Sequence, residues 1–267
     1  MKVLPLFTVV VLSVALLIGS AIAVAGDELN SKKPLKVAVN SPGSFPYLYF
    51  DETTQEYQGV VRELFNAMES ELGYSIDYID SNQLRSEEFL SNAKVDMLVI
   101  SPQWLQKPDR FIYSDAIIEH ETYLYSITPF PQNFSLETVT EKTVCTHKRY
   151  VYSGLTSFFK NGGLRRIDST SQPLMAAMLI ANRCDFAVLN NYNAWNAFSK
   201  PANCNATIYQ SPRPTSNVSL HVALRAALAP VKRDFDRIMS RYKSNGALEK
   251  LVSKHSLPVS FPKKPNC

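Results

Sequence analysis

The stretch Ser101–Asp115, SPQWLQKPDRFIYSD, places Trp104, Lys107 and Arg110 close together, directly after the apolar run VDMLVI. An indole offers a flat apolar face, and an ammonium and a guanidinium offer positive charge. At the end of a buried strand these groups suit the wall of a small-molecule cleft. The ordinary alternative is a surface loop in which Trp104 packs on its own domain and Arg110 pairs with Asp109 or Asp115. Other reactive side chains are dispersed. His120, His147, His221 and His255 lie in no H-E-x-x-H frame, and the chain has no G-x-S-x-G elbow, Walker loop or G-x-G-x-x-G. Glu119 and Glu121 flank His120 and are the nearest candidates for a general acid or base. A non-catalytic binding protein is therefore expected, with an enzyme as the alternative, and neither a metal nor a cofactor is expected.

The elements that must position these groups follow from periodicity. LKVAVN, Leu35–Asn40, is a short strand. A turn-rich aromatic stretch leads to Gly59, and then to a helix in which Val60, Val61, Leu64, Phe65, Met68 and Leu72 share a face before Gly73 stops it. YSIDYID is a second strand, SEEFLSNAK a short helix with Ser86 as N-cap, and VDMLVI a third strand. Strand–helix–strand–helix–strand predicts a parallel sheet covered by helices. TYLYSITP is a further strand, and the plan then repeats. KTVCTHK, LRRIDS and CDFAVLN read as strands, YSGLTSFFKNGG and TSQPLMAAMLIANR as helices, the second capped at Ser169, Thr170 or Ser171. ATIYQSP and SNVSLHVALR are late strands. A closing helix carries Val231, Phe235, Ile238, Met239 and Tyr242 on one face and breaks at Gly246. Two α/β units predict two lobes whose strand ends face each other across a cleft, a common small-molecule site. A second-lobe helix opening near Arg149 and Tyr150 would point N–H groups at an anion there.

The 267 residues fit one large domain or two lobes, and 45% hydrophobic with 19% charged residues describes a globular chain. Residues 1–25 combine a cation, an apolar core and small residues in A-x-A spacing, which predicts a cleaved signal peptide; a membrane anchor is the alternative. No later run of about 18 apolar residues follows, so a soluble mature protein is expected. Loss of Lys2 takes the formal charge from +4 to +3, and no block of like charges suggests a nucleic-acid partner. An exported chain with Cys145, Cys184, Cys204 and Cys267 suits two disulfides, of three possible pairings. Cys145 with Cys184 is favoured because both flank apolar strand-like runs, which leaves Cys204 with Cys267 at the C-terminus. Core thiols are the alternative.

The order of motifs resembles the periplasmic solute-binding proteins of the amino-acid type (family 3). LKVAVNSPGSFPYLYFDETTQEYQGVVRELFNAMESELGYSIDYI is similar to that family's opening, AKVDMLVIS to its GKVDVIIS segment, KPDRFIYSDAI to its TPER…FDFSDPY segment, and NRCDFAVLNNY to its GRVDAVVGD segment. The resemblance runs over roughly residues 33–255. It implies an α/β, type II two-lobe periplasmic-binding-protein fold, each lobe a mostly parallel sheet flanked by helices. Lobe 1 would comprise 26–127 plus 215–267, and lobe 2 would comprise 128–214. By the same resemblance Phe45 or Tyr47 stacks on the ligand, Ser101 supplies a hydroxyl, Lys107 or Arg110 stands at the family's carboxylate-binding Arg, and Asn190 stands at its ammonium-binding acid. Val61 replaces a further acid of the family's GFDVDL pattern. Lys lacks the planar grip of guanidinium, and Asn cannot neutralise an ammonium. The implied ligand is accordingly a polar or anionic metabolite with an apolar or ring-shaped part. Trp104, Phe45, Tyr47 and Tyr192 would offer it rings, and Lys107, Arg110 and Arg149 charge. The implied protein is a periplasmic monomer that closes by hinge motion and hands its solute to an ABC-type permease. The alternatives are a periplasmic dehydratase-like enzyme or a sensing module for a separate receptor.

Overall fold

The structure, a computed structural model, describes residues 34–40, 43–256 and 258–265. The predicted leader at residues 1–25 and the pairing of Cys204 with Cys267 lie outside the described residues. Thirteen strands are β1 (Leu35–Asn40), β2 (Gly43–Ser44), β3 (Leu48–Asp51), β4 (Glu56–Gln58), β5 (Ile76–Ser81), β6 (Met97–Ile100), β7 (Ile112–Tyr113), β8 (Ile118–Ser126), β9 (Lys142–His147), β10 (Leu164–Ser169), β11 (Phe186–Asn190), β12 (Tyr209–Gln210) and β13 (Ser216–Leu224). Seven α-helices are α1 (Val60–Leu72), α2 (Gln83–Ser91), α3 (Thr156–Lys160), α4 (Gln172–Ile180), α5 (Asn191–Ser199), α6 (Ala229–Ser244) and α7 (Ala247–His255).

The main sheet runs β10-β9-β11-β8-β13-β6-β1-β5. Strands β5, β1 and β6 are parallel, as are β10, β9 and β11. The repeated α/β plan of the sequence accounts for both groups. The two groups are not separate sheets with free facing edges, as the sequence reading pictures them. They are joined through β8 and β13, two antiparallel strands of 9 residues each. Residues 118–122 of β8 pair with β13, while 122–125 pair with β11. Likewise 216–220 of β13 pair with β8, while 221–224 pair with β6. Each long strand therefore belongs to both halves, and the hydrogen-bonded path never breaks.

The apolar side chains still divide into separate cores. Alternation along β1 sends Val37 and Val39 to one face, where they pack with Val60, Leu64, Phe65 and Met68 of α1 and Phe235 of α6. Ala38 goes to the other face, with Leu90, Leu98, Ile100 and Phe111. The second half packs Val144, Met175, Leu179, Val188 and Phe198 around Leu124 and Tyr125. There the predicted disulfide between Cys145 and Cys184 is present, with both cysteines buried. The tail returns to this second core, where Phe261 packs against Tyr125 and Trp195.

Helix α1 starts and stops on glycines, as its sequence predicts. Gly59 sits at φ 119° because a Cβ there would stand 2.5 Å from the Tyr47 carbonyl oxygen. The N–H groups of Val60 and Val61 donate to the carbonyls of Pro46 and Tyr47, which ties the β2–β4 loop to the helix. Helix α2 begins earlier than the predicted cap: Asn82 accepts from the Arg85 N–H, and Ser86 is buried inside the helix. The predicted YSGLTSFFKNGG helix shrinks to α3, and Gly162 in the left-handed region lies just beyond its end. Helix α5 has no counterpart in the sequence reading. Its Asn-rich sequence has weak helix propensity, yet Ala194, Ala197 and Phe198 fall on one buried face.

Candidate functional site

All six parallel strands deliver residues to one cavity at or just beyond their carboxyl ends, where open α/β sheets bind ligands. Asn40 ends β1, Gln83 follows β5, and Ile100 and Trp104 end and follow β6. In the second half Tyr150 and Tyr152 follow β9, Gln172 follows β10, and Asn190 ends β11. His120 and Thr122 of β8 and Ser216 and Leu220 of β13 form the floor. The cavity measures about 130 Å³. At roughly 10–15 Å³ of such volume per water, that is room for about ten waters.

His120 organises the centre. Its ring lies 4.9 Å from Trp104, edge to face, and 5.4 Å from Tyr47, centroid to centroid. The Asn190 side chain caps α5 by accepting from the Asn193 N–H at 2.7 Å. That fixes which end of the amide is oxygen, so the NH₂ end donates to His120 Nδ1 at 3.4 Å and the imidazole proton sits on Nε2. Burial holds the His120 pKa down at about 4, so the ring is neutral at physiological pH. Burial also raises the phenols of Tyr47, Tyr150 and Tyr152. For Tyr47 the neighbouring Tyr192 adds to this, while the Asn190 amide opposes it.

Two hydrogen bonds cross the cleft directly. Asn40 Nδ2 donates to the Tyr150 hydroxyl at 2.6 Å, and Asn193 Nδ2 donates to Ser44 Oγ at 3.2 Å. On the floor Thr122 Oγ1 lies 2.6 Å from Ser216 Oγ, joining the two long strands. At the rim Gln83 Nε2 donates to the Trp104 carbonyl at 3.1 Å, which holds the indole segment against α2.

Of the ten residues singled out in the sequence, the structure brings four to the cavity wall: Tyr47, Trp104, Tyr150 and Asn190. Phe45 and Tyr192 stand beside the wall rather than on it. Their rings are 6.4 Å apart, and Tyr192 meets Tyr47 at 6.5 Å. Ser101 is buried and does not line the cavity, and its carbonyl accepts from the Trp104 N–H. Lys107, Arg110 and Arg149 are exposed and do not reach the wall. The Lys107 N–H is held by Glu87 of α2, which keeps that segment on the outer surface. The three cations thus stand off the cavity wall, and the physical reason is desolvation: charged heads stay in water while the indole beside them turns inward. Glu119 and Glu121 also miss the cavity. Strand alternation points His120 and Thr122 inward and these two acids outward, where Glu119 accepts from Ser219 and Glu121 from Tyr123. The sequence reading passed over Asn40, Ser44, Gln83, Tyr152, Gln172 and Asn193, and it named His120 without a binding role. Several of these were findable as polar residues at or just past the predicted strand ends.

No protein-family model matches the chain, and no curated protein matches its sequence. Solved structures do match in shape. An ancestral arginine-binding protein bound to arginine is similar at 17% identity, with a TM-score of 0.68, over 84% of this chain and 99% of that one. A histidine kinase sensor domain with similarity to periplasmic binding proteins is similar at 17% identity, with a TM-score of 0.67, over 85% and 97% of the two chains. The ancestral amino-acid-binding protein AncCDT-1, a precursor of cyclohexadienyl dehydratase, is similar at 15% identity, with a TM-score of 0.65, over 86% and 98%. With its parallel strand groups, its two long shared strands and the cleft at their carboxyl ends, this chain has the type II periplasmic-binding-protein fold that its motifs predict.

Proposed function

We propose that the protein is an exported solute-binding protein that captures a small polar metabolite between two lobes by hinge closure. The observation that carries this reading is the cavity itself: both halves of the sheet contribute its wall, and Asn40–Tyr150 and Ser44–Asn193 bridge it. A ligand seated there would touch both halves only when they are together, so it would favour the closed state by its differential contacts. A membrane permease of the ABC type is the partner this reading implies, with the closed shape as the recognised form and a periplasmic or extracellular location. Likeness to a sensor domain and to a dehydratase precursor keeps two further roles on the same scaffold in view. The enzymatic role is less favoured because, among the described residues, no carboxylate lines the cavity.

The test is a thermal-shift screen over polar metabolites, followed by recovery of any bound compound after prolonged incubation. A raised melting temperature with the compound recovered unchanged is the expected outcome. Conversion of the compound would replace binding with catalysis. Trp104→Ala, which removes one wall, should weaken the interaction by about ten-fold or more.

A further inference from the structure

Resting on the reading of the cleft as a binding site, we propose that its ligand is an uncharged ring bearing both hydrogen-bond donors and acceptors. The class includes neutral nucleobases and nucleosides on one side and neutral sugars on the other.

The first ground is the wall. Among the described residues it contains no Lys, Arg, Asp or Glu. Its titratable groups are His120, Tyr47, Tyr150 and Tyr152, all neutral at physiological pH. An ion entering such a site would lose its water without meeting an opposite charge, which is costly.

The second ground is the helix ends. Helix N-termini are this architecture's other means of holding an anion, through their free N–H groups. Here α2, α4 and α5 begin at the cleft, and in each the N-cap side chain already takes one of the free N–H groups. Asn82 takes that of Arg85 in α2, Ser171 takes that of Leu174 in α4, and Asn190 takes that of Asn193 in α5. In α1 the first two N–H groups go to the Pro46 and Tyr47 carbonyls. In α4 the second residue, Pro173, has no N–H to give.

The third ground is what remains unspent. Among the described residues, the Asn40 amide donates to Tyr150 while its oxygen takes no partner, and the Gln172 amide makes no hydrogen bond. A carboxamide presents a donor and an acceptor side by side, which matches a ring edge or vicinal hydroxyls carrying both. Trp104, Tyr47, Tyr150 and Tyr152 supply flat apolar faces around those amides. The cavity's room for about ten waters suits a single ring with its substituents.

The experiment is calorimetric titration of the full chain with four probe sets. These are uncharged bases and nucleosides (uracil, adenosine), uncharged sugars (glucose, ribose), zwitterions and cationic amino acids (glutamine, arginine), and anions (glutamate, citrate). Binding confined to one of the first two sets is expected, and which set responds decides between heterocycle and sugar. The affinity should change less than about two-fold across a wide salt range. Gln172→Ala should weaken it by about ten-fold. The triple variant Lys107→Ala, Arg110→Ala, Arg149→Ala should leave it within about two-fold, since those side chains face water. Tight binding of an amino acid or anion would overturn this inference while leaving the binding reading intact. Silence from all four sets would overturn both.

Discussion

The two walls of the cleft arise from the same strand-then-helix plan, yet they deliver different chemistry. The first half presents strand residues themselves, with Val39, Leu98, Val99 and Ile100 giving a smooth apolar surface edged by Trp104. The second half presents mostly polar residues at and beyond its strand ends, Tyr150, Tyr152, Gln172, Asn190 and Asn193, beside Val188 and Leu189. With Asn40, Ser44 and Gln83 on the first wall, the two differ in proportion: the first is mostly apolar and the second mostly polar. The halves also differ in how they are held. The first sandwiches its sheet between apolar clusters on both faces. The second carries the buried Cys145–Cys184 bridge, which ties β9 to the segment leading into its neighbour β11.

The contrast in stabilisation can be broken by removing the bridge. The two cysteines are 39 residues apart, and closing a loop of that length is worth about 4 kcal/mol in the chain-entropy account. Cys145→Ser with Cys184→Ser should therefore lower stability by roughly that amount. Hydrogen exchange should lose protection in β9–β11 first and leave β1, β5 and β6 largely protected. Uniform loss across both halves would mean that the shared strands make the molecule one cooperative unit.

His120 lies on the seam where the walls meet, and it sharpens the comparison through pH. Its folded pKa is about 4 against an ordinary 6.5. Between those values the unfolded chain binds a proton that the folded chain does not. Stability therefore falls as pH drops from 6.5 toward 4, by an amount on the order of 3 kcal/mol. Chemical denaturation of wild type and His120→Gln across this window should give a shallower profile for the variant. Parallel profiles would remove His120 from the acid response.

The smallest expected effect concerns the contact that joins the walls. Tyr150→Phe deletes the hydroxyl that accepts from Asn40 and should reduce the closed form by about 1 kcal/mol, roughly five-fold in population. Small-angle scattering of the unliganded variant should then show a larger radius than wild type, while its thermal stability barely changes. An unchanged radius would mean that other contacts hold the halves together.

Much of the architecture was legible because it rests on local rules. The apolar stripe of α1 between Gly59 and Gly73, the strand LRRIDS, the Ser171 cap and the Cys145–Cys184 pairing all follow from spacing and residue type. Helix α5 did not, because its asparagines favour turns and only burial of Ala194, Ala197 and Phe198 against the second core makes the helix worthwhile. The site was legible in part. Trp104 was found as a residue following a predicted strand, and Asn190 through the family resemblance. His120 was noticed only as a histidine flanked by acids; its role as a neutral hub depends on strand pairing that brings residues 70 positions apart into contact.

What the sequence determined by itself is the list of parts: which segments alternate or cycle, where each must stop, and that two α/β units exist. Those outcomes depend on neighbours within a few residues. Only the tertiary structure decided which face each side chain shows to the cleft, because desolvation acts on the assembled molecule. It sent Lys107, Arg110, Arg149 and the acids beside His120 to water, and it left the cleft lined with rings, amides and hydroxyls.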